Sequence, residues 1–320
     1  MRNVGGGHST GPVVVTGAAG FVGRALCERL RAAGRDVRPI VRHEGTPGAI
    51  ALGALETAAP DAIADALAGA GAVVHLAARV HALDRADDDA AFRASNVEST
   101  ARVARAAIAA GLTRFVLASS VKVNGEATPP GRPFHPVDAP DPRDAYGRSK
   151  RDAEAMLADA CRGTPTIPVM LRIPLVVGPG ARGNVARLVA AVADGRTLPF
   201  AAVDNRRSVV GLANLCDAFV ALLAAEPPPT GVHFVADAEP VSTPSLVRMI
   251  ARALGRPVPL AYVPVALLRL AGALMGRRDE VARLTGSLEV DTSTLRAATG
   301  WRPVRTLDVE IERTVAATLR

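Results

Sequence analysis

Lysine, aromatic residues and cysteine are all scarce in this sequence of 320 residues. Only Lys122 and Lys150 among its 38 basic residues are lysines, and aromatic residues make up 3% of the chain. The cysteines, Cys27, Cys161 and Cys216, lack the spacing of a metal site or a disulfide framework, which favours a reducing, cytoplasmic setting. Long basic runs are missing too, because the net charge of +7 comes from arginines scattered among acids. This pattern disfavours nucleic-acid binding and fits a basic pocket for an anionic small molecule.

Apolar runs long enough to span a membrane are also missing. The first twelve residues have no apolar segment of the signal-peptide kind, and their glycines lead us to expect a flexible tail over residues 1–11. The most apolar later stretch, 260–275, is interrupted by Arg269 and is short for a membrane span. We interpret it as a core helix, with contact at a membrane surface as the alternative. The length allows one large α/β domain or two joined lobes.

A glycine-rich turn follows the first apolar run. Val13–Val15 is β-branched, as a buried parallel strand should be, and Gly17, Gly20 and Gly23 then precede a helical pattern that ends at Gly34. Glycines at this spacing let the backbone approach a pyrophosphate, and the helix N-terminus faces the phosphates. We therefore predict a dinucleotide site. Its predicted contacts in this turn are Gly17, Ala19, Gly20, Phe21 and Val22.

The second strand, 36–42, ends in Val41 and Arg42. An NAD site usually carries an acidic residue there for the ribose hydroxyls, and Val41 takes that place. Arg42 could pair with a 2′-phosphate. NADP(H) is therefore favoured and NAD(H) remains possible, with an ordinary surface arginine as the alternative for Arg42.

Another buried strand, 72–78, ends in small residues that would let a cofactor lie against the backbone. His75 inside this run is better interpreted as a core histidine than as a catalyst. The predicted cofactor contacts at its end are Leu76, Ala77 and Ala78.

Tyr146 and Lys150 lie four residues apart at the start of a predicted helix, with Asp144 as its N-cap. A nearby ammonium and the positive helix end both favour phenolate, so we expect the pKa of Tyr146 to fall below its usual value of about 10. Such a tyrosine can serve as acid or base. The alternative is a surface pair, but arginine cannot replace a lysine that must change its protonation. The proline-rich loop 129–142 is expected to form a wall of the substrate site.

Five motifs occur in an order that resembles the extended short-chain dehydrogenase/reductases, in their nucleotide-sugar epimerase/dehydratase branch. They are the glycine triplet, His75–Ala78, Asn96, Ser119–Ser120 and the pair Tyr146 and Lys150. The resemblance covers nearly the whole chain. It implies an α/β fold of the Rossmann type, a doubly wound parallel sheet of about seven strands, with a smaller C-terminal substrate-binding lobe.

The resemblance also implies a domain division and an assembly. Residues 12–176 would form the dinucleotide-binding domain, a strand and helix near 203–225 would return to it, and 177–320 would mainly bind the nucleotide sugar. Two Ala-rich helices, about 90–111 and 146–161, would pair two copies into a C2 homodimer.

The family assigns roles to matching positions. Ser120, Tyr146 and Lys150 would be catalytic, and Asn96, Tyr146 and Lys150 would also contact the cofactor. Arg207 matches the arginine that binds the substrate diphosphate, with a solvated loop as the alternative. The implied substrate is a UDP-sugar and no metal is expected. The implied substrate-binding residues are Ser120, Lys122, Asn184, Arg207 and Arg283.

The sequence departs from the family at several positions. Ala54 replaces an acid near the adenine, and Asn124 replaces a tyrosine. Val121 and Lys122 stand where 4,6-dehydratases carry Asp and Glu, which disfavours that reaction.

Two C4 reactions and one non-enzymatic role remain. Around Ser119–Glu126 and Asn205–Ser208 the chain resembles a subgroup of the family from bacterial surface-polysaccharide pathways. This subgroup is similar to the 4-keto reductases that form UDP-N-acetylquinovosamine and to related 4-epimerases. A reductase is favoured by Val41 and Arg42, which suit a cofactor that is exchanged. The alternatives are a UDP-hexose 4-epimerase with tightly held NAD and a dinucleotide-binding protein without activity.

Overall fold

The computed structural model describes residues 11–80 and 89–318, so the expected tail lies outside the described residues apart from Gly11. Nine strands occur in the described part of the chain. Seven of them form one parallel sheet in the order β3-β2-β1-β4-β5-β6-β9, and β7 pairs with β8. Their bounds are β1 Val13–Thr16, β2 Val37–Val41, β3 Ile50–Ala51, β4 Ala72–His75, β5 Arg114–Ser120, β6 Ile167–Ile173, β7 Leu175–Val177, β8 Val209–Gly211 and β9 Gly231–Phe234.

Helices connect the strands. A π-helical segment, Arg93–Glu98, joins α3 to α4, and a 3₁₀ turn, Val121–Val123, follows β5. The α-helices of the described residues are α1 Phe21–Ala32, α2 Pro60–Leu67, α3 Asp89–Phe92, α4 Ser99–Ala109, α5 Ala145–Cys161, α6 Asn184–Ala193, α7 Leu212–Ala224, α8 Thr243–Ala253, α9 Val265–Leu274, α10 Arg278–Thr285, α11 Ser293–Thr299 and α12 Leu307–Thr318.

Both faces of the large sheet are buried by helices, and successive side chains of each strand point to opposite faces. Val13 and Val15 face a core that also contains side chains of α1 and α7. Val14 and Val73 face a second core, with side chains of α2, α4 and α5. The predicted doubly wound parallel α/β fold of about seven strands is therefore confirmed. The strand order reverses direction between β1 and β4, and open α/β sheets bind ligands at such a point.

A third core lies in the C-terminal half. Side chains of β7, β8, α6, α8 and α12 form it. The chain also returns to the large sheet in this half, since α7 packs on α1 and β9 pairs with β6. The division at residue 176 stays a prediction.

The interpretation of 260–275 as a core helix is wrong. Within α9, all of whose residues are described, only Gly272 is buried. Leu267, Leu270 and Leu274 are 55%, 56% and 80% exposed. The interpretation failed because hydropathy reflects the composition of a helix and not the number of elements that pack on it. In the structure α9 packs chiefly on the short helix α10. The helices of the described residues are all too short or too polar to cross a membrane.

Candidate active site

The turn between β1 and α1 is packed so closely that glycine is required. A Cβ atom at Gly23 would come within 2.2 Å of the carbonyl oxygen of Gly17, and one at Gly17 would come within 2.8 Å of the backbone nitrogen of Ala77. Gly17 also has a φ of 67°, a conformation that glycine adopts at low cost. The first turn of α1 carries no acidic residue. Its free N–H groups can therefore receive a phosphate.

A cavity of about 850 Å³ opens beside this turn, at the C-terminal ends of β1, β2 and β4. Its size is within the usual range for small-molecule sites. The glycine cradle, the open helix N-terminus and the small lining residues fit a dinucleotide. Phe21 and Val22 are partly buried in the core beside α1 and do not line this cavity. The predicted cofactor residues that do line it are Gly17, Ala19, Gly20, Arg42, Leu76, Ala77 and Ala78.

The rim of the cavity at the end of β2 carries a cation. Val41 is buried and Arg42 is exposed, and both residues line the cavity. Sequence reasoning missed an acidic residue in the same cavity, Glu56, whose Oε1 accepts a hydrogen bond from Ser95 at 3.1 Å. A signal was present, because Glu56 follows two residues after Ala54, where the family's usual acid is missing.

His75 is a structural histidine. It is buried, and its Nδ1 lies 2.8 Å from Oγ1 of Thr16 on the neighbouring strand. Burial, reinforced by the charge of Lys150, lowers the pKa of His75 to about 3, so the imidazole is neutral at physiological pH.

Asn96 lies in the π-helical segment and connects three elements. Its Oδ1 accepts a hydrogen bond from the backbone N–H of Arg79 at 2.8 Å, and its Nδ2 donates to the carbonyl oxygen of Arg79 at 3.1 Å. Nδ2 also donates to Oγ of Ser149 on α5 at 2.8 Å. Asn96 therefore fixes the exit of β4 against α5, and a contact of its own with the cofactor stays a prediction.

The three predicted catalytic residues meet where β5 ends and α5 begins. Asp144 caps α5 by accepting a hydrogen bond from the N–H of Gly147 at 2.7 Å. Ser120, at the end of β5, lies near enough to the phenol of Tyr146 for its hydroxyl to lower the pKa of that phenol. One turn further along α5, Nζ of Lys150 donates to the carbonyl oxygen of Ala118 at 2.7 Å. Ser120 and Tyr146 are thus neighbours, and Lys150 is held against the same strand.

The protonation of this cluster differs from the sequence prediction. Burial raises the pKa of Tyr146 to about 12, because it outweighs the hydrogen bond from Ser120, and the carboxylate of Asp144 adds to the rise. Burial also lowers the pKa of Lys150 to about 8, against the opposing charge of Glu154. The expected fall in the pKa of Tyr146 is therefore wrong for the protein alone. Its phenol carries a proton at neutral pH and can donate it.

A buried ion pair supports α5 behind the cluster. Glu154 of α5 accepts hydrogen bonds from Arg172 of β6, at 2.6 Å to Nη2, and from the hydroxyl of Ser119 of β5. Nη1 of Arg172 also donates to Oδ1 of Asn124 at 2.8 Å. The asparagine that replaces the family's tyrosine thus completes the bonding of this arginine.

The predicted substrate-binding arginines lie together. Nη1 of Arg207 donates to the carbonyl oxygen of Arg283 at 2.7 Å, and burial together with the charge of Arg283 lowers the pKa of Arg207. Sequence reasoning missed Glu126, whose Oε1 lies 3.9 Å from Nη1 of Arg283 and 3.2 Å from Nζ of Lys122. Lys122 also pairs with Asp144, the N-cap of α5. We call Arg207, Arg283, Lys122 and Glu126 the arginine cluster.

Asn184 shows no contact with the arginine cluster. It is exposed at the start of α6, and its Oδ1 accepts a hydrogen bond from Arg187 at 2.6 Å. Its contact with substrate stays a prediction.

A doubly wound sheet with a glycine cradle at the C-terminal ends of its strands is the arrangement of a dinucleotide-binding protein, and here a Ser-Tyr-Lys cluster lies at the same edge. The sequence profile of the NAD dependent epimerase/dehydratase family matches residues 13–236. The chain belongs to this family, as its resemblance to the extended short-chain dehydrogenase/reductases predicted.

Similar proteins include a UDP-glucose 4-epimerase of Vibrio cholerae, 36% identical over 315 residues, which span 96% of this chain and 95% of that protein. An N-acetyl-α-D-glucosaminyl-diphospho-ditrans,octacis-undecaprenol 4-epimerase of Escherichia coli O157:H7 is 27% identical, covering 86% of this chain and 81% of that protein. Among solved structures, MoeE5 in complex with UDP-glucuronic acid and NAD is 25% identical with a TM-score of 0.76, covering 97% of this chain and 99% of that one.

Proposed function

We propose that this protein is an NAD(P)-dependent reductase that acts on the 4-keto group of a nucleotide sugar, most simply a UDP-sugar. The observation that carries the proposal is the grouping of Ser120, at the end of β5, with Tyr146 and Lys150 on the first turns of α5 at the sheet edge. Hydroxyl, phenol and ammonium groups in this arrangement suit proton transfer to a carbonyl oxygen that becomes an alkoxide.

Each residue has a distinct task. The bound nicotinamide cofactor supplies the hydride chemistry. The glycine cradle and Leu76–Ala78 would hold its phosphates and ribose in the cavity. Tyr146 donates its proton to the C4 oxygen, and Ser120 donates a hydrogen bond to the same oxygen. Lys150 would bind the nicotinamide ribose and, as an ammonium, stabilise the phenolate that Tyr146 leaves behind.

The arginine cluster supports a substrate with a diphosphate. Arginine forks match phosphate oxygens, and the guanidinium of Arg207 lies at the backbone of Arg283, close enough to feel that residue's charge. The relatives from Vibrio cholerae and Escherichia coli act on sugars carried by different groups, a nucleotide and a polyprenol, but both carriers are joined through a diphosphate. The shared chemistry is a sugar on a diphosphate, which Arg207 and Arg283 would bind.

One observation favours reduction. Val41 and Arg42 present a cation and no carboxylate at the end of β2, which favours NADP(H) and a cofactor that is exchanged. The second candidate is a 4-epimerase with tightly held NAD, and the 36% identity to a UDP-glucose 4-epimerase favours it. Either enzyme would act in the cytoplasm on a precursor of a bacterial surface polysaccharide, in keeping with cysteines that are all buried and free.

Replacing Tyr146 with Phe tests the catalytic assignment. Turnover of a UDP-4-keto sugar should fall by roughly 10²–10⁴ because the proton donor is lost, while cofactor affinity persists. Tyr262→Phe is the matched control, since Tyr262 is 77% exposed and lies outside the cluster, and it should turn over like the wild type. Turnover of Tyr146→Phe near the wild-type rate would remove the assignment.

Replacing Arg42 with Ala separates the two candidate reactions. An arginine–phosphate pair contributes about 1.5–3 kcal/mol, so the wild type should bind NADPH roughly tenfold or more tightly than NADH. Arg42→Ala should lose most of this preference and keep its NADH affinity, whereas Arg31→Ala, an exposed change on α1, should alter neither. Equal affinities in the wild type, or nicotinamide that stays bound through purification, would favour the epimerase.

A further inference from the structure

A row of leucines runs along the solvent-facing side of α9. Leu267, Leu270 and Leu274 lie at i, i+3 and i+7, on one face of the helix, and more than half of each side chain is exposed. Met275, 65% exposed, extends the row at the helix end. We call these four residues the α9 stripe. Single exposed leucines are ordinary, but a contiguous apolar row marks an interaction surface.

The opposite side of α9 is the side that holds it to the protein. Gly272 packs so tightly on α10 that a Cβ atom there would come within 2.5 Å of the side chain of Val281. Nε of Arg269 donates to Oγ1 of Thr285 on α10 at 3.3 Å. The stripe is therefore not needed for packing α9 against its neighbour, and its exposure is a property of the folded protein.

The surroundings of the stripe are basic. The sequence from 256 to 278 contains four arginines and no acidic residue. Arg277 and Arg278 are exposed and follow the stripe directly. Acids come only with Asp279 and Glu280, and Glu280 pairs with Arg187 at 3.0 Å. An apolar row flanked by arginines is complementary to a partner that has an apolar interior and negative charges at its surface.

We propose that the α9 stripe docks on the surface of an anionic lipid bilayer, with α9 lying in the plane of the interface. Ten residues of helix measure about 15 Å, half the thickness of the hydrocarbon core, so α9 can lie on a membrane but cannot span it. Helices that bind in this way typically bury leucines in the acyl chains beneath the lipid headgroups and place arginines beside the headgroups. Tyr262 is 77% exposed just before α9, and tyrosine is a residue that favours the membrane–water interface.

The charges argue for lipid over a second copy of the chain. In a parallel two-fold contact through the stripe, Arg277 and Arg278 of each copy would approach the equivalent arginines of the other, and in an antiparallel one they would meet the start of α9, where residues 256–278 offer no acidic partner. Like charges brought together across an interface oppose association, whereas anionic headgroups attract all of them. Docking would also hold the arginine cluster near the bilayer, since Arg283 lies on α10, beneath α9.

Vesicle binding tests the proposal without any use of activity, so its outcome is separate from that of the proposed reaction. The full chain should sediment with vesicles that contain phosphatidylglycerol and bind vesicles of pure phosphatidylcholine more weakly. Leu270→Gln with Leu274→Gln should weaken binding at least about tenfold, because apolar contact is lost while helix propensity is kept. Arg277→Gln with Arg278→Gln should weaken binding to the anionic vesicles by about thirtyfold at low salt.

The control is Val304→Gln, which changes an apolar side chain that is 73% exposed and lies outside α9, and it should bind like the wild type. Failure of the wild type to bind anionic vesicles would overturn the proposal. Unchanged vesicle binding of the variant with Leu270→Gln and Leu274→Gln would also overturn it. A wild-type dimer by light scattering that this variant converts to monomers would assign the stripe to a second copy instead.

Discussion

Replacing Glu154 with Gln should destabilise the protein far more than an ordinary polar substitution. Glu154 and Arg172 are a buried pair, and the carboxylate is bonded to Arg172 by three contacts of 2.6–3.2 Å and to the hydroxyl of Ser119. Removing one partner of such a pair leaves a buried charge uncompensated, which costs about 3–5 kcal/mol. A domain has a free energy of unfolding of about 5–15 kcal/mol, so the loss is a large share.

A second variant separates the charge from the packing. Glu154→Leu combined with Arg172→Met removes both charges and keeps similar volumes, so it should be more stable than Glu154→Gln, and what it still loses comes from Ser119 and Asn124, whose buried polar groups lose their partners at about 1–3 kcal/mol each. The pair has a further effect on the site, because Glu154 lies one turn after Lys150 on α5 and its charge raises the pKa of that lysine. The double variant should therefore regain stability while the alkaline limb of its turnover moves to lower pH.

The assay is urea unfolding of Glu154→Gln and of the four proteins of the double-mutant cycle formed by Glu154→Leu and Arg172→Met, followed by pH profiles of turnover for the stable ones. Glu98→Gln, an exposed change in the π-helical segment, serves as a control and should stay within about 0.5 kcal/mol of the wild type. A loss below 1 kcal/mol for Glu154→Gln would refute the picture of a desolvated pair. An unshifted pH profile in the double variant would refute the coupling to Lys150.

Two further results are expected. Because the pKa of Lys150 is about 8 in the fold and 10.5 ordinarily, the unfolded chain binds more protons between these values. The unfolding free energy of the wild type relative to Lys150→Met should therefore rise with pH between about 8 and 10, by up to about 1.4 kcal/mol per pH unit, and a flat difference in urea titrations would contradict the buried lysine. The proposed C2 homodimer through α4 and α5 predicts a mass near twice 33.0 kDa by light scattering at micromolar concentration, and Ala109→Arg with Ala155→Arg, two exposed positions on these helices, should yield monomers. A wild-type mass of 33.0 kDa would exclude that assembly.

Local chemistry made part of this structure predictable. The glycines of the first turn follow from close backbone packing, and Asp144 follows from the need of a helix for an N-cap. The strand ends that line the cavity follow from the rule that parallel sheets bind ligands at one edge. In each case the residues that decide the structure are close together in the chain.

The features that were missed depend on residues distant in sequence. Glu126 meets Arg283 across 157 positions, and Glu154 of α5 meets Arg172 of β6 across 18 positions, so no local pattern marks either acid. The pKa of Tyr146 depends on burial, a tertiary property, and burial reversed the direction expected from the helix terminus and the neighbouring lysine. The exposure of α9 was missed for the same reason, since its composition is that of a core helix.

The scarcity of lysine has different explanations at its two positions. Lys150 is buried, donates to a single carbonyl oxygen and has a lowered pKa. An arginine there would bring five N–H donors and a guanidinium that never loses its charge. Lys122 is partly exposed between Glu126 and Asp144, two carboxylates that an arginine could also bridge. The argument that arginine cannot replace lysine therefore holds for Lys150, which acts in the chemistry. Lys122 instead secures Asp144, the residue that starts α5 and so places Tyr146 beside Ser120.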